Sequence, residues 1–199
     1  MNAPTPTPAT VPRPFLREAG RGLGVVCLHA NASSSAQWRG LLDLLAPRHH
    51  VLAPDLYGAG KSPDWPSDRQ IALRDEVAFI APALAAAGDG LPVVLVGHSY
   101  GAAVALVAAL ANPGRVRALA LYEPTLFSLL DAEHAPPNEA DGIKQAVAAS
   151  VAALERGDRD GAAQAFIDYW MGAGSWQATP EPRRGPRVPA PRRTRPPPA

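Results

Sequence analysis

Short apolar runs alternate with longer stretches of helical spacing between residues 15 and 122. Residues 24–28, 51–53, 91–97 and 116–122 are dense in Val, Leu and Ala and read as strands, the first and third of them buried. Residues 15–18 read as a shorter strand. Between them, residues 34–46 place Trp38, Leu41, Leu42 and Leu45 on one stripe, and residues 70–87 point Ile71, Val77, Ile80 and Leu84 inward. A serine at 33 to 35 supplies the N-cap of the first helix. Pro82 is expected to bend the second. Residues 100–111 make a small-residue helix that Asn112-Pro113-Gly114 stops. Strand and helix alternate, which predicts an α/β fold: a mainly parallel sheet with helices on both faces and right-handed crossovers.

The pattern changes after Tyr122. Residues 143–156 and 159–170 have helical spacing, with Gly157-Asp158 between them and no strand intervening. This pair is expected to lie over the sheet. Residues 1–14 alternate Pro and Thr and read as a disordered leader. Residues 177–199 contain eight prolines and no periodic apolar positions, which reads as a disordered tail. The organisation expected is therefore a leader (1–14), an α/β core (15–130), a helical cap segment (131–176) and the Pro/Arg-rich tail (177–199).

Composition narrows the class. The chain has 199 residues, 47% of them hydrophobic, enough for one domain that buries about 70% of its unfolded surface. No apolar run approaches the roughly 20 residues a membrane-spanning helix needs. Residues 1–14 lack the apolar core of a secretory signal. The one cysteine, Cys27, falls in an apolar strand, where a buried, inert thiol is expected, and it fits a cytoplasmic setting. From Ala178 onward six Arg and one Glu give +5 against a whole-chain charge of +1, leaving the preceding residues at −4. Any nucleic-acid argument would rest on the tail alone, so no nucleic-acid partner is expected.

The chemistry gathers at Val93-Val94-Leu95-Val96-Gly97-His98-Ser99-Tyr100-Gly101. An apolar strand enters Gly-x-Ser-x-Gly and leaves as a helix. Such a turn holds its central residue in a strained conformation and exposes the side chain above the sheet. Gly97 and Gly101 are expected because strand and helix close up there. The helix N-terminus and the N–H of Tyr100 favour negative charge beside Ser99. A hydroxyl next to anion-stabilising donors is the kernel of acyl transfer.

Two further motifs precede it: His29-Ala30-Asn31-Ala32-Ser33-Ser34-Ser35-Ala36-Gln37-Trp38, and Asp55-Leu56-Tyr57-Gly58-Ala59-Gly60-Lys61-Ser62. With the turn around Ser99 they resemble, in order, three landmarks of the α/β-hydrolase superfamily: the His-Gly-x loop, with Ala30 where Gly is usual, the Asp-x-x-Gly-x-Gly-x-Ser turn, and the nucleophile elbow. The resemblance covers about residues 15–176, and Glu123-Pro124 looks like the start of the family's cap. It implies Ser99 as nucleophile and the N–H groups of Asn31 and Tyr100 as the oxyanion hole. It gives His29 a structural role, tying loops together. Asp55 is expected to organise its glycine turn. His98, Trp38 and Phe127 are candidate substrate contacts; Trp38, Phe127, Tyr57, Tyr100 and Trp170 are also natural core or cap packing residues.

The family order is Ser, then an acid, then a late His. Glu123 is a candidate acid and Asp131 a weaker one. The last histidine is His134, at the start of the expected cap, where the spacing is wrong for the base. His49 and His50 lie at the opposite end of their strand from the catalytic loops. No triad histidine is identified, and a truncated or frameshifted gene product is the expectation, with a native basic tail as its rival. The reading reached is a serine hydrolase on a small ester or related acyl or C–C substrate, without metal or organic cofactor. Haloperoxidase-like and lactonase activities stay open. Haloalkane dehalogenases have Asp where Ser99 stands and are set aside. The alternative is an inert fragment or a binding protein on the same scaffold. Self-association through the exposed strand 116–122 is expected of an incomplete sheet.

Overall fold

The computed structural model describes residues 12–88 and 90–180. Most of the expected leader, and the tail from residue 181, lie outside the described residues. Five strands form one sheet: β1 (Leu16–Ala19), β2 (Leu23–Leu28), β3 (His49–Pro54), β4 (Val93–His98) and β5 (Val116–Tyr122), in the order β1-β3-β2-β4-β5. All neighbours are parallel except β1, which runs antiparallel to β3.

Two cores follow from the alternation of side chains across the pleat. Val26, Leu28, Leu52 and Leu95 face one side, where they meet Ile80, Ala83 and Leu84 of α2 (Leu73–Gly88) and Val104, Ala105 and Ala108 of α3 (Tyr100–Ala111). Val25, Cys27, Val51 and Ala53 face the other, under Leu42 of α1 (Arg39–Leu45) and the flanking Trp38, Leu41 and Leu45. Helices therefore cover both faces. Burial pushes the Cys27 thiol up to about 12, so it remains a neutral, apolar packing group.

Several boundaries differ from the sequence reading, each for a local reason. Residues 34–46 are not one helix: a 3-10 turn, Ser35–Trp38, precedes α1. The Ser35 N–H donates to buried Asp55 and Ser34 Oγ accepts from Ala36 N, which tightens the first turn. The α2 helix begins at Leu73, leaving Ile71 outside it. Asp75 accepts from the Ala72 N–H and takes both arms of Arg69, so it organises the residues before the helix. The Arg69 guanidinium accordingly holds the Asp75 carboxyl below its usual range.

The segment after β5 carries two helices the periodicity did not reveal, α4 (Phe127–Glu133) and α7 (Ser175–Ala178). The latter also places Gln177 and Ala178 in a helix, where a disordered tail was expected. Between them run α5 (Asp141–Glu155) and α6 (Arg159–Met171), close to their expected limits. This pair does not spread over the sheet: α5 packs on α6, and α6 on α7. Lys144 ties α5 to α4 through Asp131, and Phe127 stacks on Trp170 with centroids 6.5 Å apart. Among the described residues no helix is long and apolar enough to cross a membrane.

Candidate active site

The parallel register brings three loops to one edge of the sheet. Leu28 pairs with Gly97, and His98 pairs with Tyr122. The loop after β2, the turn after β4 and Glu123 after β5 therefore emerge side by side at the strands' carboxyl ends, where parallel sheets gather their chemistry.

Ser99 stands between β4 and α3 with φ 53° and ψ −117°. A non-glycine residue there costs about 1–3 kcal/mol and persists only where its surroundings enforce it. Here the Ser99 N–H donates to Tyr122 O at 2.9 Å, and Ser99 O accepts from Ala102 N at 3.0 Å. The flanking glycines are steric necessities. A Cβ on Gly97 would sit 2.5 Å from Ala102 Cα, and one on Gly101 would sit 2.3 Å from Leu28 O. Neither neighbour is a flexible side chain. Gly101→Ala is therefore expected to cost about 1–3 kcal/mol, measured as a shift in the urea midpoint; an unchanged midpoint would show that α3 can move away from β2.

The loop after β2 is held from inside. His29 is buried; its Nδ1–H donates to Ala30 O at 2.7 Å and its Nε2 accepts from Leu56 N at 3.0 Å. One ring thus ties this loop to the loop after β3. The Ala30 carbonyl belongs to the peptide that carries the Asn31 N–H. A trans peptide points its C=O and N–H oppositely, so the His29 bond also orients that donor. Ala32 follows with φ 53°. Asp55, also buried, accepts from Ser35 N at 2.6 Å and Lys61 N at 2.8 Å. Its carboxylate joins the two loops beneath the site and does not face outward.

Two residues not singled out from the sequence complete the arrangement. Gln37 bridges Ala30 N (3.1 Å) and His98 Nδ1 (3.0 Å). Glu76, buried in α2, accepts from Tyr57 N at 3.2 Å and lies 3.5 Å from the Tyr100 hydroxyl. Burial, and secondarily the Asp75 charge, push the Tyr100 phenol above its usual range. Glu76 carried a signal: it is a carboxylate on the inward stripe of α2 with Ile80 and Ala83. Gln37 carried none, because its partners come from two other loops.

The remaining expected site residues sit as follows. Glu123 has φ 48°, is exposed, and brings its carboxylate 3.6 Å from His98 Nε2. Asp131 is engaged by Lys144 and by Asn138 Nδ2 at 2.9 Å. These two hydrogen bonds, Lys144 first, hold its carboxyl low. Trp38 packs on the core under α1. Phe127 meets Trp170 within the helical segment. The five histidines are dispersed over the fold. His29 is internal, His50 Nε2 binds Glu18 Oε1 at 2.6 Å, His98 lies between Gln37 and Glu123, His134 ends α4, and His49 starts β3. Among the described residues no group of three or more His, Cys, Asp or Glu is arranged to hold a metal. An open, largely apolar groove of about 540 Å³ lies along β4 and β5 between Trp38, Val96, Leu121 and Tyr122, but Ser99 does not line it.

Comparison with known proteins agrees with this architecture. The chain is 37% identical over 119 residues to the haloalkane dehalogenase of Agrobacterium fabrum, an alignment covering 60% of this chain and 38% of that protein. It is 40% identical over 102 residues to the lipase LipV of Mycobacterium tuberculosis, covering 51% and 37%. It is 34% identical over 131 residues to the 2-hydroxymuconate semialdehyde hydrolase of Pseudomonas sp. strain CF600, covering 61% and 46%. The chain thus spans 37% to 46% of the length of these relatives. Among solved structures, an α/β hydrolase from Sphaerobacter thermophilus superposes with a TM-score of 0.66 at 27% identity, covering 88% of this chain and 65% of that one. The family described as the alpha/beta hydrolase fold matches residues 25–180, and the chain belongs to it.

Proposed function

We propose that Ser99 is the nucleophile of a serine hydrolase acting on a small uncharged ester or a related acyl or C–C substrate. The observation that carries this reading is the strained Ser99 backbone, φ 53°, wedged between two glycines at a strand-to-helix turn. In the reaction Ser99 Oγ bonds to the carbonyl carbon and its proton passes to a base. The carbonyl π pair moves onto oxygen, where the N–H groups of Asn31 and Tyr100 receive it. Each such donor is worth about 3–4 kcal/mol in enzymes of this kind. The lipase and the semialdehyde hydrolase among the relatives support carbonyl chemistry. A dehalogenase reading is less well supported, because displacing a halide in this fold uses an ionised carboxylate where this chain has a neutral hydroxyl. Glu123, at the end of β5, is the acid we assign.

A second reading, a binding protein on the same scaffold, is favoured by the placement of the histidines: His29 ties two loops together, His50 binds Glu18, and His98 lies between Gln37 and Glu123. The test is labelling by a fluorophosphonate probe. Loss of the base costs about 10⁴- to 10⁶-fold in triad enzymes. Slow labelling confined to Ser99 and abolished in Ser99→Ala is therefore expected. Rapid stoichiometric labelling would reveal a base among these residues. Labelling that survives Ser99→Ala would overturn the nucleophile assignment, and no labelling after prolonged exposure would favour the binding protein.

A further inference from the structure

Gln37 joins the two halves of the site through a single amide. Its Oε1 accepts from Ala30 N at 3.1 Å, one residue before Asn31. Its Nε2 donates to His98 Nδ1 at 3.0 Å, one residue before Ser99. Because His98 Nδ1 accepts, the ring proton lies on Nε2, which faces Glu123 Oε2 at 3.6 Å. The Tyr122 ring stands 5.0 Å from the His98 ring, centroid to centroid. The result is a hydrogen-bonded link from the loop after β2 to His98 at the elbow, with Glu123 just beyond hydrogen-bond reach.

Gln37 is itself fixed. Its own N–H donates to Ser34 O at 2.9 Å, and the turn it sits in is anchored where Ser35 N meets Asp55 at 2.6 Å. The loop it reaches needs an outside hold, since Ala32 sits in the left-handed region with φ 53°. An oxyanion hole works only if its donors keep their distance from the nucleophile to within a fraction of an ångström. Here the two donors lie on different segments, after β2 and after β4, and Gln37 bonds to Ala30, just before Asn31, and to His98, just before Ser99.

We infer that Gln37 is a positioning residue that sets the Asn31 loop against the Ser99 elbow by bridging Ala30 N–H and His98 Nδ1. This rests on the reading of Ser99 as nucleophile. Gln37 is exposed, so its substitution leaves the core untouched. Gln37→Leu removes both bonds. Gln37→Glu keeps the acceptor for Ala30 N–H and changes only the link to His98.

The experiment pairs fluorophosphonate kinetics with imidazole ¹⁵N NMR on the whole chain. Gln37→Leu is expected to lower the maximal rate of Ser99 labelling about 10- to 100-fold while leaving the probe concentration for half-maximal rate and the melting temperature unchanged. Gln37→Glu should recover most of that rate. In the wild-type chain His98 should show the Nε2–H tautomer, giving way to a mixture in Gln37→Leu. A Gln37→Leu variant that labels at the wild-type rate, or an Nδ1–H tautomer in the wild type, would overturn the proposal. If wild-type Ser99 does not label, the functional reading fails on its own. The bridge is then decided by the tautomer shift alone: its presence supports the tether and its absence refutes it.

Discussion

Asp55→Ala is expected to lose about 1–4 kcal/mol of stability. The carboxylate is 1% exposed and accepts from Ser35 N at 2.6 Å and from Lys61 N at 2.8 Å. Alanine leaves the buried Ser35 N–H unmatched, at about 1–3 kcal/mol, and the part-buried Lys61 N–H without its acceptor, at less. Domains of this size are stable by about 5–15 kcal/mol, so the loss takes a large share of the total. The loop is already tight, since a Cβ on Gly60 would fall 2.0 Å from Asp55 Oδ2. Asp55→Asn should cost less, because the amide keeps one acceptor oxygen while its NH₂ faces the other N–H. Urea unfolding of the two variants checks the order. An Asp55→Ala midpoint within experimental scatter of wild type would show that water enters and replaces the carboxylate.

The second large effect concerns assembly. Among the described residues β5 ends the strand order and pairs only with β4. Six of its seven residues are exposed, and Leu119, Leu121 and Tyr122 are among them at 37%, 37% and 62%. A free strand edge with apolar side chains is a template for another strand. The groove beside it adds apolar surface on the same flank. A second copy of the chain is the partner proposed, pairing β5 to β5. At about ten micromolar or above, the wild-type chain should sediment as dimer or larger. Leu121→Lys, which places a charge on that edge, should shift it to monomer, and Leu119→Lys, two residues away on the same face, should act alike. A wild-type chain that sediments as a clean monomer at such concentrations would end this proposal. Association unchanged in both lysine variants would move the contact away from β5.

Local chemistry was legible in the order of residues because it depends on neighbours along the chain. The strand–turn–helix at Ser99 needs glycine on either side and a strained residue between, and Gly97-His98-Ser99-Tyr100-Gly101 supplies both within five positions. The strands at 24–28, 51–53, 91–97 and 116–122, the helix after the elbow and the mainly parallel sheet follow likewise from runs and spacings a few residues long. Boundaries shifted where a side chain from elsewhere took a backbone donor. Asp55, 20 residues away, helped tighten the first turn after Ser34, while Asp75 reached back to Ala72 and Arg69.

What only the tertiary structure decided spans long separations. Gln37 and His98 are 61 residues apart, and Glu76 and Tyr100 are 24 apart; neither pair has a periodicity to announce it. Periodicity also misplaced the later helices, because an apolar stripe says that a face is buried and not against what. In α5 and α6 that face meets the neighbouring helix and not the sheet. The exposed edge at β5 was expected from the resemblance, since no run of Val and Leu encodes a strand's place in the sheet. Residue order thus determined the strand–turn–helix at Ser99 and the class of fold. The register of parallel strands determined which loops meet at that turn, since backbone pairing, Leu28 with Gly97 and His98 with Tyr122, sets distances that sequence separation does not.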